Sequence, residues 1–175
     1  MEARLEKFPK SQVWGTANLI FATVGSSKTP FERLVKAVDD IAEQTLEEVV
    51  IQIGAAKKLP RCAKYFEFCD SERMIDLIER ANVVISHAGF GIIADCIRMN
   101  KRLVLIPREH RFGDAEGNQV ELAQYISQSS KGIICIRDVG RLPDALDRVR
   151  RITPNYQFTT RIPKMIQNFI DRKLG

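Results

Sequence analysis

Short apolar runs alternate with longer amphipathic segments along most of this chain. The runs carry branched and aromatic residues, show no polar alternation and end near glycine, proline or serine, which is typical of strands buried on both faces of a parallel sheet. Six strands are predicted in this way: "NLIFATVG" (18–25), "EEVVIQIG" (47–54), "KYFEFC" (64–69), "NVVIS" (82–86), "RLVLIP" (102–107) and "GIICI" (132–136).

The segments between the strands place apolar side chains at the spacing of a helix. In the first segment, Thr29 and Glu32 have the spacing of a capping box and Pro30 stands at the first helical position, which predicts that a helix starts there. Further helices are predicted over residues 71–81, 91–100, 116–130 and 140–152. Strands that alternate with helices predict an α/β fold, a Rossmann-like parallel sheet of about six strands with helices on both faces.

The same patterns divide the chain into three parts. Residues 1–17 show no clear period and are expected to form an N-terminal arm. Residues 18–153 form the predicted Rossmann-like domain, and residues 154–175 a C-terminal loop and amphipathic helix. The apolar stripe of that helix either packs on the domain or docks a partner chain, and self-association stays open; the stripe comprises Ile162, Ile166, Phe169 and Ile170.

Composition narrows the classes of function. The chain has 175 residues, 45% of them hydrophobic, and a formal net charge of +5. This charge favours phosphate-bearing partners, but no basic stretch is interleaved with aromatic residues as in single-strand binders, so no nucleic-acid partner is expected. The four cysteines form no C-x-x-C pair and the two histidines lie at no zinc-like spacing from them, so we expect no metal and a cytoplasmic chain with reduced thiols.

No apolar run approaches the roughly 18 to 20 residues that cross a bilayer. Any attachment to a membrane is therefore expected to depend on another chain.

The glycine turn "HAGFG" (87–91) follows the fourth strand and is the main candidate for chemistry. In such a sheet ligands bind beyond the carboxyl ends of the strands. Gly89 and Gly91 would let a ligand approach the backbone, and the following helix favours a diphosphate at its N-terminus. The string "GFGIIA" also matches the dinucleotide fingerprint, with Glu109 about 20 residues on. A sugar nucleotide, an NAD enzyme and a purely structural turn therefore all remain open.

Polar residues near this turn extend the candidate site. Asp95 lies one helical turn beyond Gly91 and can reach back to ribose hydroxyls, unless it is simply a solvated helix acid. Asn118 and Gln119 open the next helix and suit sugar hydroxyls, although residues there often only cap the helix. His87 precedes the glycines and is either structural or functional.

Three segments together resemble a known family. They are "FATVGSSKTPFERLV" (21–35), "VISHAGFGIIADCIRMNKRLVLIPR" (84–108) and "GNQVELAQYI" (117–126). They are similar to the C-terminal, nucleotide-sugar-binding half of family 28 glycosyltransferases, whose pattern includes T-V-G-T, S-H-A-G-x-G, V-P-R and N-H-Q-x-E-L-A. The resemblance spans roughly residues 19–140. It departs at Asn118, which replaces the histidine of N-H-Q, and at Asp95, where the single-chain enzyme has Glu.

The resemblance implies one half of a GT-B fold and a UDP-sugar as donor substrate, with inversion, no cofactor and no metal. Gly25 and Ser26 would border the donor site, while Gly89, Phe90 and Gly91 would cradle the diphosphate. Asp95 would hold the ribose, and Asn118 with Gln119 would read the sugar, which is N-acetylglucosamine in several family members.

The length of the chain resembles the small subunits of two-chain transferases in this family. In those systems a separate membrane-associated chain binds a lipid-linked acceptor, so this chain would be cytoplasmic and peripheral to the membrane. The general base would be His87 or a group of the partner. A nucleotide-binding module without turnover of its own is the other class that the sequence leaves open.

Overall fold

The computed structural model describes residues 18–114 and 119–156. Its six strands are β1 (Leu19–Thr23), β2 (Glu48–Gln52), β3 (Lys64–Phe66), β4 (Ala81–Ser86), β5 (Arg102–Leu105) and β6 (Ile133–Cys135). Its five α-helices are α1 (Glu32–Gln44), α2 (Ser71–Arg80), α3 (Phe90–Arg98), α4 (Val120–Ser129) and α5 (Leu142–Arg150). Strand and helix thus follow one another as the sequence predicts, including the direct step from β2 to β3.

The six strands form one parallel sheet in the order β3-β2-β1-β4-β5-β6. The two central strands are β1 and β4, which pair in parallel with Thr23 opposite Ser86 and with one register shift between Leu19 and Ile20. From β1 the chain crosses over towards β2, and from β4 it crosses in the other direction towards β5. The two connections therefore diverge at the carboxyl edge and leave a crevice between them, the usual ligand position in open α/β sheets.

Apolar side chains are buried on both faces of the sheet. Along β1 successive side chains alternate, so that Ile20 and Ala22 pack with α1 and α5 while Leu19 and Phe21 pack with α2, α3 and α4. Two covered faces explain why the middle positions of the strands are apolar, while polar residues such as Glu48 and Arg102 lie at strand ends. The Rossmann-like fold predicted from the sequence, with about six strands and helices on both faces, is confirmed.

The predicted start of the first helix is wrong. Helix α1 begins at Glu32, with Phe31 as its N-cap and no side-chain cap. Ser27 Oγ accepts the backbone N–H of Thr29 at 3.1 Å, and Glu32 accepts the amides of Lys57 and Lys58 instead. The Thr29 amide and the Glu32 carboxylate, which would pair in the predicted capping box, are thus bonded to other groups.

The end of the described chain packs on the domain. Asn155 bridges to Lys131, and the buried Tyr156 donates its hydroxyl hydrogen to the Lys101 carbonyl at 2.8 Å. The N-terminal arm (1–17) and the apolar stripe of residues 162–170 lie outside the described residues. Within the described residues, no helix combines the length and apolar character needed to span a bilayer.

Candidate functional site

The crevice between β1 and β4 brings the first loop and the glycine turn together. Gly25 follows β1 and has a φ of +78°, a conformation that side chains rarely tolerate. His87 and Gly89 follow β4, the neighbouring strand. Gly25 and Gly89, 64 positions apart in the sequence, thus flank the same point of the sheet edge.

The imidazole of His87 fills the space that these two glycines leave. A Cβ atom on Gly25 would lie 2.4 Å from His87 Cε1, and one on Gly89 would lie 2.4 Å from His87 Nε2. Neither distance is sterically possible without movement of the ring or the backbone. At Gly89, therefore, the first reason for glycine is the packing of His87, whereas the sequence suggested the approach of a ligand.

Gly91 is different, because a Cβ atom there would meet nothing within 4 Å. It is the second residue of α3, whose N-cap Gly89 carries no side chain to satisfy the amides of the first turn. Phe90 beside it is exposed. Open space in front of uncapped first-turn amides is the environment in which helix N-termini bind phosphate.

Burial keeps the His87 side chain neutral at physiological pH. Burial first, and then the nearby Arg108 cation, lower the pKa of His87 to about 4, although the Thr23 backbone opposes the shift. Its Nδ1 lies 3.3 Å from Ser86 Oγ, which in turn donates to the Thr23 carbonyl. A group with this pKa is a weak general base near neutrality, which weighs against proton abstraction by His87.

The other predicted site residues are distributed around the crevice. Ser26 is exposed in the loop after β1. Asp95 lies on α3 one turn beyond Gly91, and its Oδ1 accepts a hydrogen bond from Arg98 at 3.1 Å. The Asp95 carboxylate is therefore already paired, and ribose hydroxyls would have to replace Arg98 as its partner.

The structure describes only one of the two residues that were predicted to contact the sugar. Gln119 is the N-cap of α4, and its Oε1 accepts the backbone N–H of Arg108 at 3.2 Å. This bond ties the start of α4 to the loop after β5. Asn118 lies outside the described residues.

Glu109, the acid of the possible dinucleotide fingerprint, is already engaged. Its buried carboxylate pairs with Arg137 at 2.5 Å and with Arg111 at 2.9 Å. The hydrogen bonds from Arg137 are the main cause that holds the pKa of Glu109 below its ordinary value, against the effect of burial. A carboxylate held between two guanidinium groups is poorly placed to receive the ribose hydroxyls of NAD, which weighs against the dinucleotide hypothesis.

Sequence reasoning gave no role to Arg108, which the structure places at the centre of this edge. Only 3% of its surface is exposed, and its guanidinium donates to carbonyls of the loop after β1 and of the loop after β5. The signal was present in "IPR", an arginine directly after a buried strand. An arginine in that position is usually solvated, so its burial could not be inferred from the string.

Among residues 18–114 and 119–156, no group of three or more His, Cys, Asp or Glu side chains is arranged to hold a metal ion. The expected independence from metal stays a prediction.

Comparison with known proteins identifies the family. Residues 19–159, most of the chain, match the glycosyltransferase family 28 C-terminal domain. The chain belongs to this family. The resemblance seen in the glycine turn and its flanking motifs is thereby confirmed.

A curated relative shares sequence with part of the chain, and two solved structures share its fold. The chain is 34% identical over 61 residues to the UDP-N-acetylglucosamine transferase subunit ALG13 of Candida albicans (strain SC5314 / ATCC MYA-2876), a match that covers 35% of this chain and 20% of that protein. The solution structure of ALG13 has a TM-score of 0.53 at 16% identity, with 81% of this chain and 90% of that chain covered.

The glycotransferase of kitacinnamycin has a TM-score of 0.56 at 17% identity, and the match covers 86% of this chain but 39% of that chain. The match thus spans well under half the length of this glycosyltransferase and one fifth of the curated relative. At these identities the solved structures establish the fold alone, one half of the GT-B arrangement.

Proposed function

We propose that this chain is the donor-binding part of a glycosyltransferase that takes its sugar from a UDP-sugar. The observation that carries the proposal is the open approach to Gly91 at the crevice between β1 and β4. Family membership and the similarity to a UDP-N-acetylglucosamine transferase subunit support the choice of a UDP-sugar over other phosphates. Under this proposal N-acetylglucosamine is the first sugar to test.

The first turn of α3 would act on the leaving group. As the bond to the sugar breaks, negative charge develops on the β-phosphate of UDP. Oriented amides at Phe90 and Gly91, together with the positive end of the helix, would stabilise that charge without a metal. Asp95 would receive the ribose hydroxyls after exchange of its Arg98 partner, and Gly25, Ser26, Gln119 and Asn118 would border the donor.

A second chain would supply the acceptor half of the active site. The proposed mechanism inverts the anomeric carbon, so the acceptor hydroxyl attacks from the face opposite UDP and must lose its proton there. With a pKa of about 4, His87 is a poor base for that step. We therefore assign the base to a membrane-associated partner that binds a lipid-linked acceptor, which would hold this cytoplasmic chain at the membrane.

Gly91→Leu tests the donor site directly. Calorimetry of the parent chain is expected to detect binding of UDP and UDP-N-acetylglucosamine but not of NADH. Because the space in front of Gly91 is empty, the leucine variant should fold normally and lose UDP binding. Gln128→Leu is the matched control, since it adds an exposed leucine in the last turn of α4, at the opposite edge of the sheet. UDP affinity that is unchanged in Gly91→Leu would reject the site.

Turnover separates the two-chain proposal from a complete enzyme. The purified chain with a UDP-sugar and a lipid-linked acceptor should transfer sugar slowly or not at all, and native membranes that contain the partner should restore transfer. Rapid transfer by the purified chain would contradict the division of the active site between two chains. UDP binding without transfer under any condition would favour the nucleotide-binding module.

A further inference from the structure

A buried arginine connects two loops that do not follow neighbouring strands. Arg108 Nη1 donates to the carbonyls of Thr29 and Asp114, each at 2.9 Å, and Nη2 donates to the Val24 carbonyl at 2.9 Å. Val24 and Thr29 belong to the loop after β1, whereas Asp114 belongs to the loop after β5. Since β4 lies between these strands, the guanidinium spans the crevice edge.

Stability is a poor explanation for this arrangement. Removing a guanidinium from water is expensive, and interactions inside the protein offset this cost only where the geometry is excellent and the remaining donors are also paired. Here the partners of Arg108 are carbonyls and not a carboxylate, and Nε has no partner among the described residues. The bonds that are formed fix the relative position of two loops.

An aromatic ring and a second arginine complete the connection. Both Arg108 and Arg33 lie against the ring of the fully buried Phe31, at 4.6 and 4.8 Å from its centroid. Arg33 also bonds to the Asp114 carboxylate and to the Pro107 carbonyl, each at 2.6 Å. The start of α1 and the loop after β5 are thereby held together, and Arg108 alone of the two arginines extends to the residues just after β1.

The held carbonyl of Val24 lies directly before Gly25, one wall of the His87 site. We propose that Arg108 is a positioning residue of the donor site, which sets the path of residues 24–30 opposite the glycine turn by holding the carbonyls of Val24 and Thr29. The inference rests on the proposed function for its ligand. The positioning of residues 24–30 by Arg108 does not depend on the identity of that ligand.

The test compares Arg108→Met and Arg108→Lys with Arg102→Met. Arg102 also donates to a backbone carbonyl, that of Ile152 at 2.9 Å, but lies at the amino end of β5. Arg108→Met should lower UDP affinity by about tenfold or more, because the loop that borders the donor would no longer be preorganised for binding. Arg108→Lys should recover part of the affinity, since an ammonium reaches one loop carbonyl but cannot span all three. Arg102→Met should lose thermal stability and keep UDP affinity within about twofold.

Hydrogen exchange at the backbone amides of residues 24–29 is the second readout. Protection of these amides should fall in both Arg108 variants and stay at the parent level in Arg102→Met. If Arg108→Met does not fold, Arg108→Lys decides alone, and full affinity with unchanged exchange in the lysine variant would overturn the proposal. If the parent chain does not bind UDP, the donor-site function fails, while unchanged exchange in the Arg108 variants would separately refute the role in the loop.

Discussion

Nε2 of His87 lies 2.4 Å from the point where a side chain on Gly89 would begin. The histidine and the glycine are therefore complementary, and the turn between β4 and α3 depends on both. Gly91, two residues on, has no such neighbour. The glycine turn thus has two purposes: Gly89 admits the imidazole, and Gly91 leaves the front of the helix open.

We expect Gly89→Ala to destabilise the protein by about 1–3 kcal/mol, the usual effect of forcing extra atoms into a packed site. Gly89 has a φ of −83°, which alanine adopts freely, so the whole effect should come from His87. The double variant His87→Ala/Gly89→Ala should then show a large favourable coupling in chemical denaturation. Gly91→Ala is the control and should be neutral or stabilising by up to about 1 kcal/mol, because alanine favours the helix.

Gly25 allows a stricter form of this experiment. Its φ of +78° strains any side chain, so His87→Ala should rescue Gly25→Ala only in part. Full rescue at Gly25, or none at Gly89, would contradict the packing described for His87.

The His87 imidazole should titrate near pH 4 in the folded protein. Nuclear magnetic resonance of a His110→Gln variant, in which His87 is the sole histidine of the chain, can follow this directly. Because the pKa of the folded state lies below the unfolded value of 6.5, the unfolded chain binds the extra proton. This group should therefore make the free energy of unfolding rise with pH between about 4 and 6.5. The slope should disappear in His87→Asn. Titration of His87 near its ordinary pKa would refute the burial argument.

Asp39 should stabilise the loop before β3. Its carboxylate accepts the backbone N–H groups of Arg61, Cys62 and Ala63 at 2.8–2.9 Å. Burial opposes ionisation, but the three amides outweigh it and hold the pKa of Asp39 below 3.8. Asp39→Asn should lose about 1–3 kcal/mol, since its amide nitrogen cannot accept.

The stability difference between the parent chain and Asp39→Asn should depend on pH. A depressed carboxyl pKa contributes stability that is complete above about pH 5 and declines as the pH falls through the folded pKa. The difference in unfolding free energy between the parent and Asp39→Asn should thus shrink below pH 3.8. A difference that stays constant to low pH would exclude the ionised carboxylate as its source.

Tyr156 should contribute to the stability of the domain. The phenol is buried and donates to Lys101, so Tyr156→Phe should lose about 1 kcal/mol. A chain truncated after Tyr156 should be more stable than one truncated after Thr153, as measured by thermal unfolding. Equal stability of the two truncated chains would mean that residues 154–156 do not stabilise the domain, in agreement with the predicted boundary at residue 153.

The interior strands were predictable because a strand covered on both faces must be apolar along its whole length. Ile20, Phe21 and Val84 could hardly occupy another environment, and the runs around them therefore identify β1 and β4. The position of the glycine turn was predictable for a similar reason, since a strand, two glycines and a helix in sequence place the turn and the first helix amides at the carboxyl edge.

The start of α1 was not predictable from its local pattern. Thr29 and Glu32 have the right spacing for a capping box, but Glu32 finds its partners at Lys57 and Lys58, on a loop that reaches α1 only in the folded chain. The Thr29 carbonyl likewise bonds to Arg108, 79 positions away. Tertiary partners of this kind override a local preference worth about 1 kcal/mol.

By itself the sequence determined the class of fold, the family and the turn at which a donor phosphate is expected, since each of these depends on residues adjacent along the chain. Only the tertiary structure decided that Gly89 must lack a side chain because His87 occupies that space. It also decided that Arg108 is buried against the loop after β1. Both depend on which loops converge at the edge of the sheet. Convergence follows from strand order, and strand order is a property of the whole packed chain.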